Sequence, residues 1–366
     1  MKKLVSILVC LMLAASFLAA CAPAAPSPQP DTSAPAPQPE PAAPAPQPAP
    51  QPEPQPEPAP PVADSGGGLI KVGIVNNPPS ESGYRAANVA DMERVFNAAN
   101  GYDASMQYSL QNDDQLNFAR GFIADGVDYL LISAAETVGW DAVLKDANEA
   151  GTKVFLFDRM LDVSTDLYEA AVVSDMANQG KLAMEWLLAQ NLPRYDVVHI
   201  QGAMGSDAQL GRTGAFDAEV AAGRMNKVLQ QSATWDENVA KEIVESVIAA
   251  KGRDSFNIVY AENDGMATGA VAALQDAGIS HGVDGDVIII GVDANKFALR
   301  EVLAGNWNLD VQCSPFQADV IHGFIQLLEA GQSISVPADK KVISEERYFD
   351  AATITEAEIA QFGLGD

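Results

Sequence analysis

Planar polar side chains recur where short apolar runs stop. The run at 153–157 leads into Asp158-Arg159, the run at 257–261 into Asn263-Asp264, and the run at 287–292 into Asp293. The first run, 70–75, is followed by Glu81-Ser82-Gly83-Tyr84-Arg85, and a later one at 309–314 carries Gln312. Carboxylates, amides and guanidinium groups each offer co-planar hydrogen-bonding atoms in pairs, the geometry that suits neighbouring hydroxyls on a sugar ring. Tyr84, Trp140 and Trp235 add aromatic faces for the apolar side of such a ring. Each residue also has a plainer reading. A lone strand-end aspartate often caps the next helix, and Asn263-Asp264 suits an N-cap. The tryptophans suit a core or a rim, and Arg159 and Arg212 an exposed surface. Capping alone does not account for five planar groups that all follow strands.

The elements that must position these groups follow from hydrophobic periodicity. Nearly continuous apolar runs at 70–75, 129–133, 153–157, 197–201, 257–261 and 287–292 read as parallel strands buried on both faces. Amphipathic stretches at 86–99, 115–125, 141–150, 180–190, 238–250 and 266–277 separate them, several stopping at a glycine such as Gly126, Gly151 or Gly278. Such alternation predicts α/β architecture, with ligands expected beyond the carboxyl ends of the strands. Around 168–175 a strand breaks the even rhythm, where a first lobe would hand over to a second. The first strand lacks the G-x-G-x-x-G of a dinucleotide site, and the chain has no Walker A or Gly-x-Ser-x-Gly sequence. Asp158 and Asp293 could in principle form a carboxylate pair for glycoside chemistry. No activated nucleophile accompanies them, so the expectation is binding and not catalysis.

The N-terminus sets the compartment. Lys2 and Lys3 precede an apolar stretch at 4–17 that is too short to span a membrane. Leu18-Ala19-Ala20-Cys21 resembles the lipobox of bacterial lipoproteins, which implies a cleaved signal at 1–20 and a diacylglyceryl-modified Cys21. Residues 22–61 hold 18 of the 23 prolines and no aromatic residue, a composition that cannot bury a core and extends as a semi-rigid spacer of about 120 Å. Glycines 66–68 give a joint, so 21–68 reads as lipidated cysteine plus stalk. Cys313 is the one cysteine beyond Cys10 and Cys21, and His199, His281 and His322 are widely spaced. No disulfide framework, metal site or cofactor is expected. With 22 basic against 49 acidic residues and a net charge of −27, nucleic acid is excluded as a partner.

Four segments carry a resemblance. They are Ser80-Glu81-Ser82-Gly83-Tyr84-Arg85-Ala86-Ala87, Val154-Phe155-Leu156-Phe157-Asp158-Arg159, Gly211-Arg212-Thr213-Gly214-Ala215-Phe216, and Val259-Tyr260-Ala261-Glu262-Asn263-Asp264-Gly265-Met266-Ala267-Thr268-Gly269-Ala270. In this order, from Ile70 to the C-terminus, the chain resembles the ribose/galactose branch of the type I periplasmic sugar-binding proteins, nearest its galactofuranose-binding members. The resemblance implies two doubly wound parallel-sheet lobes joined by three hinge crossovers, near Val173, Gln312 and Glu346. Residues 69–173 with 313–345 would form the first lobe, and 174–312 with 346–366 the second.

The resemblance also implies a set of ligand contacts. Glu81, Ser82, Tyr84 and Arg85 would clasp the sugar from the first lobe, with Tyr84 stacking, and Asp158 and Arg159 would bond adjacent hydroxyls. Arg212, Asn263 and Asp293 would reach it from the second lobe. Trp235 would stack, and Gln312 and Trp140 complete the set. Tyr84 and Gln312 depart from the galactofuranose type, which carries tryptophan and glutamate there. The implied role is a monomeric, membrane-tethered, extracytoplasmic protein that delivers a sugar to an ABC permease and its ATPase. A sensory module presenting a furanose such as autoinducer-2 to a receptor is the alternative.

Overall fold

The computed structural model describes residues 68–365; the signal segment, Cys21 and the proline-rich stretch lie outside the described residues. The chain alternates through β1 (Ile70–Asn76), α1 (Gly83–Val95), β2 (Tyr102–Tyr108), α2 (Asn112–Ala124), β3 (Tyr129–Ile132), α3 (Asp141–Ala150), β4 (Lys153–Asp158) and β5 (Ala170–Val173). It crosses into a second layer built from α4 (Met176–Ala189), β6 (Asp196–Gln201), α5 (Asp207–Ala221), β7 (Asn226–Ser232), α6 (Glu237–Lys251), β8 (Ile258–Ala261), α7 (Asp264–Asp276), β9 (Ile288–Asp293), α8 (Lys296–Leu303) and β10 (Leu309–Gln312). The chain then returns through α9 (Ala318–Glu329) and β11 (Lys341–Ile343) to the first layer, and ends with β12 (Tyr348–Asp350) and α10 (Glu356–Phe362) in the second.

Two six-stranded sheets result, in the orders β11-β5-β4-β3-β1-β2 and β12-β10-β9-β8-β6-β7. Among the described strands every pairing is parallel except β10 with β12. The expected doubly wound architecture is present, and so are its three crossovers: after Val173, after Gln312, and between Ile343 and Tyr348. The central strands β3, β5 and β8 are buried at every position, because helices cover both faces of a parallel sheet. Each fully buried Val, Leu or Ile there contributes roughly 1.5–3 kcal/mol. One face of the first sheet packs with Val143 and Leu144 of α3. The opposite face packs with Met92 of α1 and Ile321 and Ile325 of α9, which assigns α9 to the first layer although it follows the second in sequence.

Among the described residues no helix is long and apolar enough to cross a membrane.

Candidate functional site

The carboxyl ends of both sheets face one cavity. Glu81, Ser82, Tyr84, Asp158 and Arg159 line it from the first lobe, and Ala208, Arg212, Trp235, Asn263 and Asp293 from the second, with Met176 and Cys313 beside the crossovers. Three of these residues hold a positive φ: Asp158 at 65°, Trp235 at 70° and Asp293 at 132°. Non-glycine residues persist there only where surrounding contacts fix them, a pattern that concentrates at ligand sites.

On the first lobe Asp158 is the node. Its carboxylate accepts hydrogen bonds from Tyr84 Oη at 2.7 Å, Ser133 Oγ at 2.7 Å and Arg85 Nη2 at 2.6 Å. Burial alone would raise its pKa, but the Arg85 and Arg159 guanidiniums, with these hydrogen bonds, outweigh burial and hold it at about 2. Arg85 is wholly buried and spends its donors on Glu81, Asn76, Asn88, Ser133 and Asp158. Burial works against its charge, yet Asp158 and Glu81 raise its pKa. Arg159 is held more loosely. Its Nη1 reaches Ala134 O at 3.3 Å, its Nη2 and Nε stand 3.6 Å from the carboxylates of Glu81 and Asp158, and the buried Nε makes no hydrogen bond.

On the second lobe, close helix packing delivers Arg212. A side chain at Gly180 would collide with the backbone of Arg212, and one at Gly211 with the backbone of Met176, so glycine at both positions lets α4 and α5 approach. Arg212 donates from Nε to Gln179 Oε1 at 2.9 Å and from Nη1 to the Glu262 carbonyl, while Nη2 lies 3.8 Å from Asp293. Asp293 is pushed well above the usual carboxylate range by burial, with Arg212 only partly offsetting it. Asn263 caps α7, accepting from Met266 N at 2.8 Å, and lines the cavity as well. Trp235 packs its ring where any side chain at Gly202 would stand. The Arg159 and Arg212 guanidiniums lie 5.8 and 6.0 Å from its ring centroid, and its buried Nε1 has no partner.

Nine of the twelve ligand contacts expected from sequence therefore meet around one cavity. The other three lie elsewhere. Arg85 is underneath, as a support for Asp158. Trp140 is fully buried in the first-lobe core, with Nε1 directed at Asn112 Oδ1 and Glu136 O. Gln312 sits in a crossover strand, where its backbone N–H donates to Arg347 O at 2.8 Å. Sequence reading missed Met176, Ala208 and Cys313, small or apolar wall residues whose types carry no chemical signal.

Comparison with known proteins decides the family. The periplasmic binding protein domain matches residues 72–321. The chain belongs to the periplasmic binding protein family. The binding protein is 33% identical over 245 residues to the galactofuranose-binding protein of Escherichia coli strain K12, covering 65% of this chain and 76% of that protein. It is 30% identical over 301 residues to the fructose import binding protein of Bifidobacterium longum, covering 80% and 88%. The crystal structure of a galactofuranose binding protein superposes with a TM-score of 0.73 at 27% identity, covering 80% of this chain and 98% of that one.

The lobes of the binding protein meet across the cleft. Thr137 N donates to Gly205 O at 3.1 Å, and Met160 N to Asp207 Oδ2 at 2.8 Å. Tyr84, from the first lobe, packs in the hydrophobic cluster of the second. In this structure the two sheets and their helices are therefore in direct contact on both sides of the cavity.

Proposed function

We propose that the protein captures a small neutral sugar in its interlobe cleft and hands it to an ABC importer. The observation that carries this is the unfinished hydrogen bonding of residues that line the cavity: Arg159 Nε and Trp235 Nε1 are buried without a hydrogen-bond partner, and Asp158 and Asp293 line the same space. Buried polar groups left unpaired cost about 1–3 kcal/mol each, and a ligand that both donates and accepts would satisfy these donors and the carboxyl groups together. Hydroxyl groups do both. Carboxyl groups stand beside guanidiniums throughout, Glu81 and Asp158 with Arg85 and Arg159, and Asp293 with Arg212, and hydroxyl groups suit both partners. The relatives named for galactofuranose and fructose support a furanose or pyranose hexose or pentose, galactofuranose-like in kind. Lobes bounded at 69–173 with 313–345 and 174–312 with 346–366 fit this role, with the chain acting as a monomer beside a permease and its ATPase.

A thermal-shift screen with D-galactose, L-arabinose, D-ribose and D-fructose tests the reading. A ligand that binds only the folded state at a hundredfold excess over Kd adds about 2.7 kcal/mol, a rise of roughly 5 °C for a module of this size. If none of these sugars raises the midpoint, the sugar-binding reading fails.

The tether rests on Lys2, Lys3, the short apolar run and Leu18-Ala19-Ala20-Cys21. Cys21→Ala is expected to release the protein from the membrane while leaving ligand affinity unchanged. Membrane fractionation in a strain without the permease decides this, since a variant that still sediments with membranes rules out the lipid anchor.

A further inference from the structure

Glu346 does not line the cavity, yet it holds together all three chain crossovers. Its Oε1 accepts from Ser174 Oγ of the first crossover at 2.6 Å and from Ser314 N of the second at 2.8 Å, while Glu346 itself lies on the third. Its Oε2 accepts from Gln179 Nε2 at 2.6 Å. Gln179 in turn accepts from Arg212 Nε at 2.9 Å, and Arg212 lines the cavity. The first and second crossovers are also tied to the far wall: Ser174 N donates to Asp158 O at 3.3 Å, and Tyr84 Oη to Ser314 O at 3.3 Å.

A hinge moves by changing the backbone of a few residues between rigid bodies. One carboxylate that spans all three connecting segments restricts those changes together, and its second oxygen leads through Gln179 to a ligand-facing arginine. We propose that Glu346 is the hinge pin of this protein: through Ser174 and Ser314 it sets the open–closed balance, and through Gln179 and Arg212 it couples that balance to occupancy of the cleft. The coupling half of the proposal rests on the sugar-binding reading above, whereas the hinge half does not.

The two roles separate by substitution. Glu346→Ala removes every tie. Glu346→Gln keeps an oxygen for Ser174 and Ser314 but sets an amide N–H₂ against the Gln179 N–H₂, which cuts the path to Arg212. The full-length chain labelled with 5-fluorotryptophan gives a ligand-independent readout, because Trp235 lies in the cleft and Trp235→Phe assigns its ¹⁹F resonance. Without ligand, Glu346→Ala is expected to displace the Trp235 resonance from its wild-type position, and Glu346→Gln to leave it in place. Ser174→Ala removes one tie and is expected to shift it in the same direction by less, which keeps the test decisive if the Glu346→Ala chain does not fold. With D-galactose as probe, Glu346→Gln is expected to dissociate about tenfold faster with an association rate within twofold of wild type. Superimposable ligand-free spectra for wild type, Glu346→Ala and Ser174→Ala overturn the hinge role. An unchanged dissociation rate in Glu346→Gln overturns the coupling. If D-galactose does not bind the wild type, the sugar that raises the midpoint in the thermal-shift screen replaces it as probe; if none does, the sugar reading fails and the coupling with it, while the ligand-free spectra still decide the hinge.

Discussion

Asp158 and Arg159 are neighbours in sequence with different duties. Asp158 accepts three hydrogen bonds and neutralises Arg85, which is buried with no exposure to water. Arg159 makes no hydrogen bond from its buried Nε and stands 3.6 Å from its two carboxylates. Removing one member of a buried ion pair leaves the other charge uncompensated, which typically costs 3–5 kcal/mol. Asp158→Ala is therefore expected to lower both stability and sugar affinity. Arg159→Ala should lower affinity by about 2–4 kcal/mol with a much smaller loss of stability. Calorimetric titration and thermal unfolding of the two variants check the split. Equal loss of stability in both would mean that Arg159 serves the fold as Arg85 does, and unchanged affinity in both would move the site elsewhere.

At the scale of elements, what sequence reveals depends on how completely an element is buried. The central strands announce themselves as unbroken apolar runs because both their faces are covered. The edge strands β2 and β7 went unread. Their residues are mostly part-exposed, and Asp103-Ala104-Ser105-Met106-Gln107 has no run to find. Helix capping was a fair reading of Asn263 and turned out to be half its work, since the residue caps α7 and also lines the cavity. Trp140 shows the opposite case: an aromatic placed by resemblance was claimed by the core.

One element-level device was invisible in sequence. Asp264 and Asp310 project from α7 and β10, and Asp264 Oδ1 and Asp310 Oδ2 are both buried without a partner. Asp264 Oδ1 occupies the space where a side chain at Gly291 would stand, and Gly291 is the register neighbour of Asp310. The remaining oxygens accept from Asn295 N and Nδ2 and from Ala294 N, which fixes the turn after Asp293. One proton shared between these two orphan oxygens would satisfy both. Burial and the mutual repulsion of the pair raise its pKa, with Asp293 and Arg212 also acting on it. The folded state then holds a proton that the unfolded chain releases above about pH 4. This contribution to stability is complete below that pH and is lost as pH rises through the raised folded value. Asp310→Asn presents a permanent N–H donor to Asp264, so the midpoint of unfolding should fall less between pH 6 and pH 9 than in wild type. Parallel profiles for the two proteins would exclude the shared proton.

At the scale of the whole molecule, the proposed capture requires two arrangements of the same lobes. In the one described here, Met160 N reaches Asp207 across the cleft and Asn295 sits against Gly83. Asp158 and Arg159 on one wall face Arg212, Trp235, Asn263 and Asp293 on the other. A ligand shifts an equilibrium only by its differential affinity for the two states, and a sugar touching both walls has that difference because an open cleft offers it one wall at a time. Small-angle scattering of the module from Gly68 onward should show a smaller radius of gyration on saturation with the sugar. Arg212→Ala removes a second-lobe contact and the end of the path from Glu346 through Gln179, while leaving Asp158, Arg159 and Tyr84 in place. This variant is expected to retain weak binding through the first lobe and to lose most of the compaction. Full compaction in Arg212→Ala would mean that closure is driven by other second-lobe contacts. No compaction in the wild type would mean that the cleft stays closed without ligand, and that the contacts from Met160 to Asp207 and from Thr137 to Gly205 hold it shut on their own.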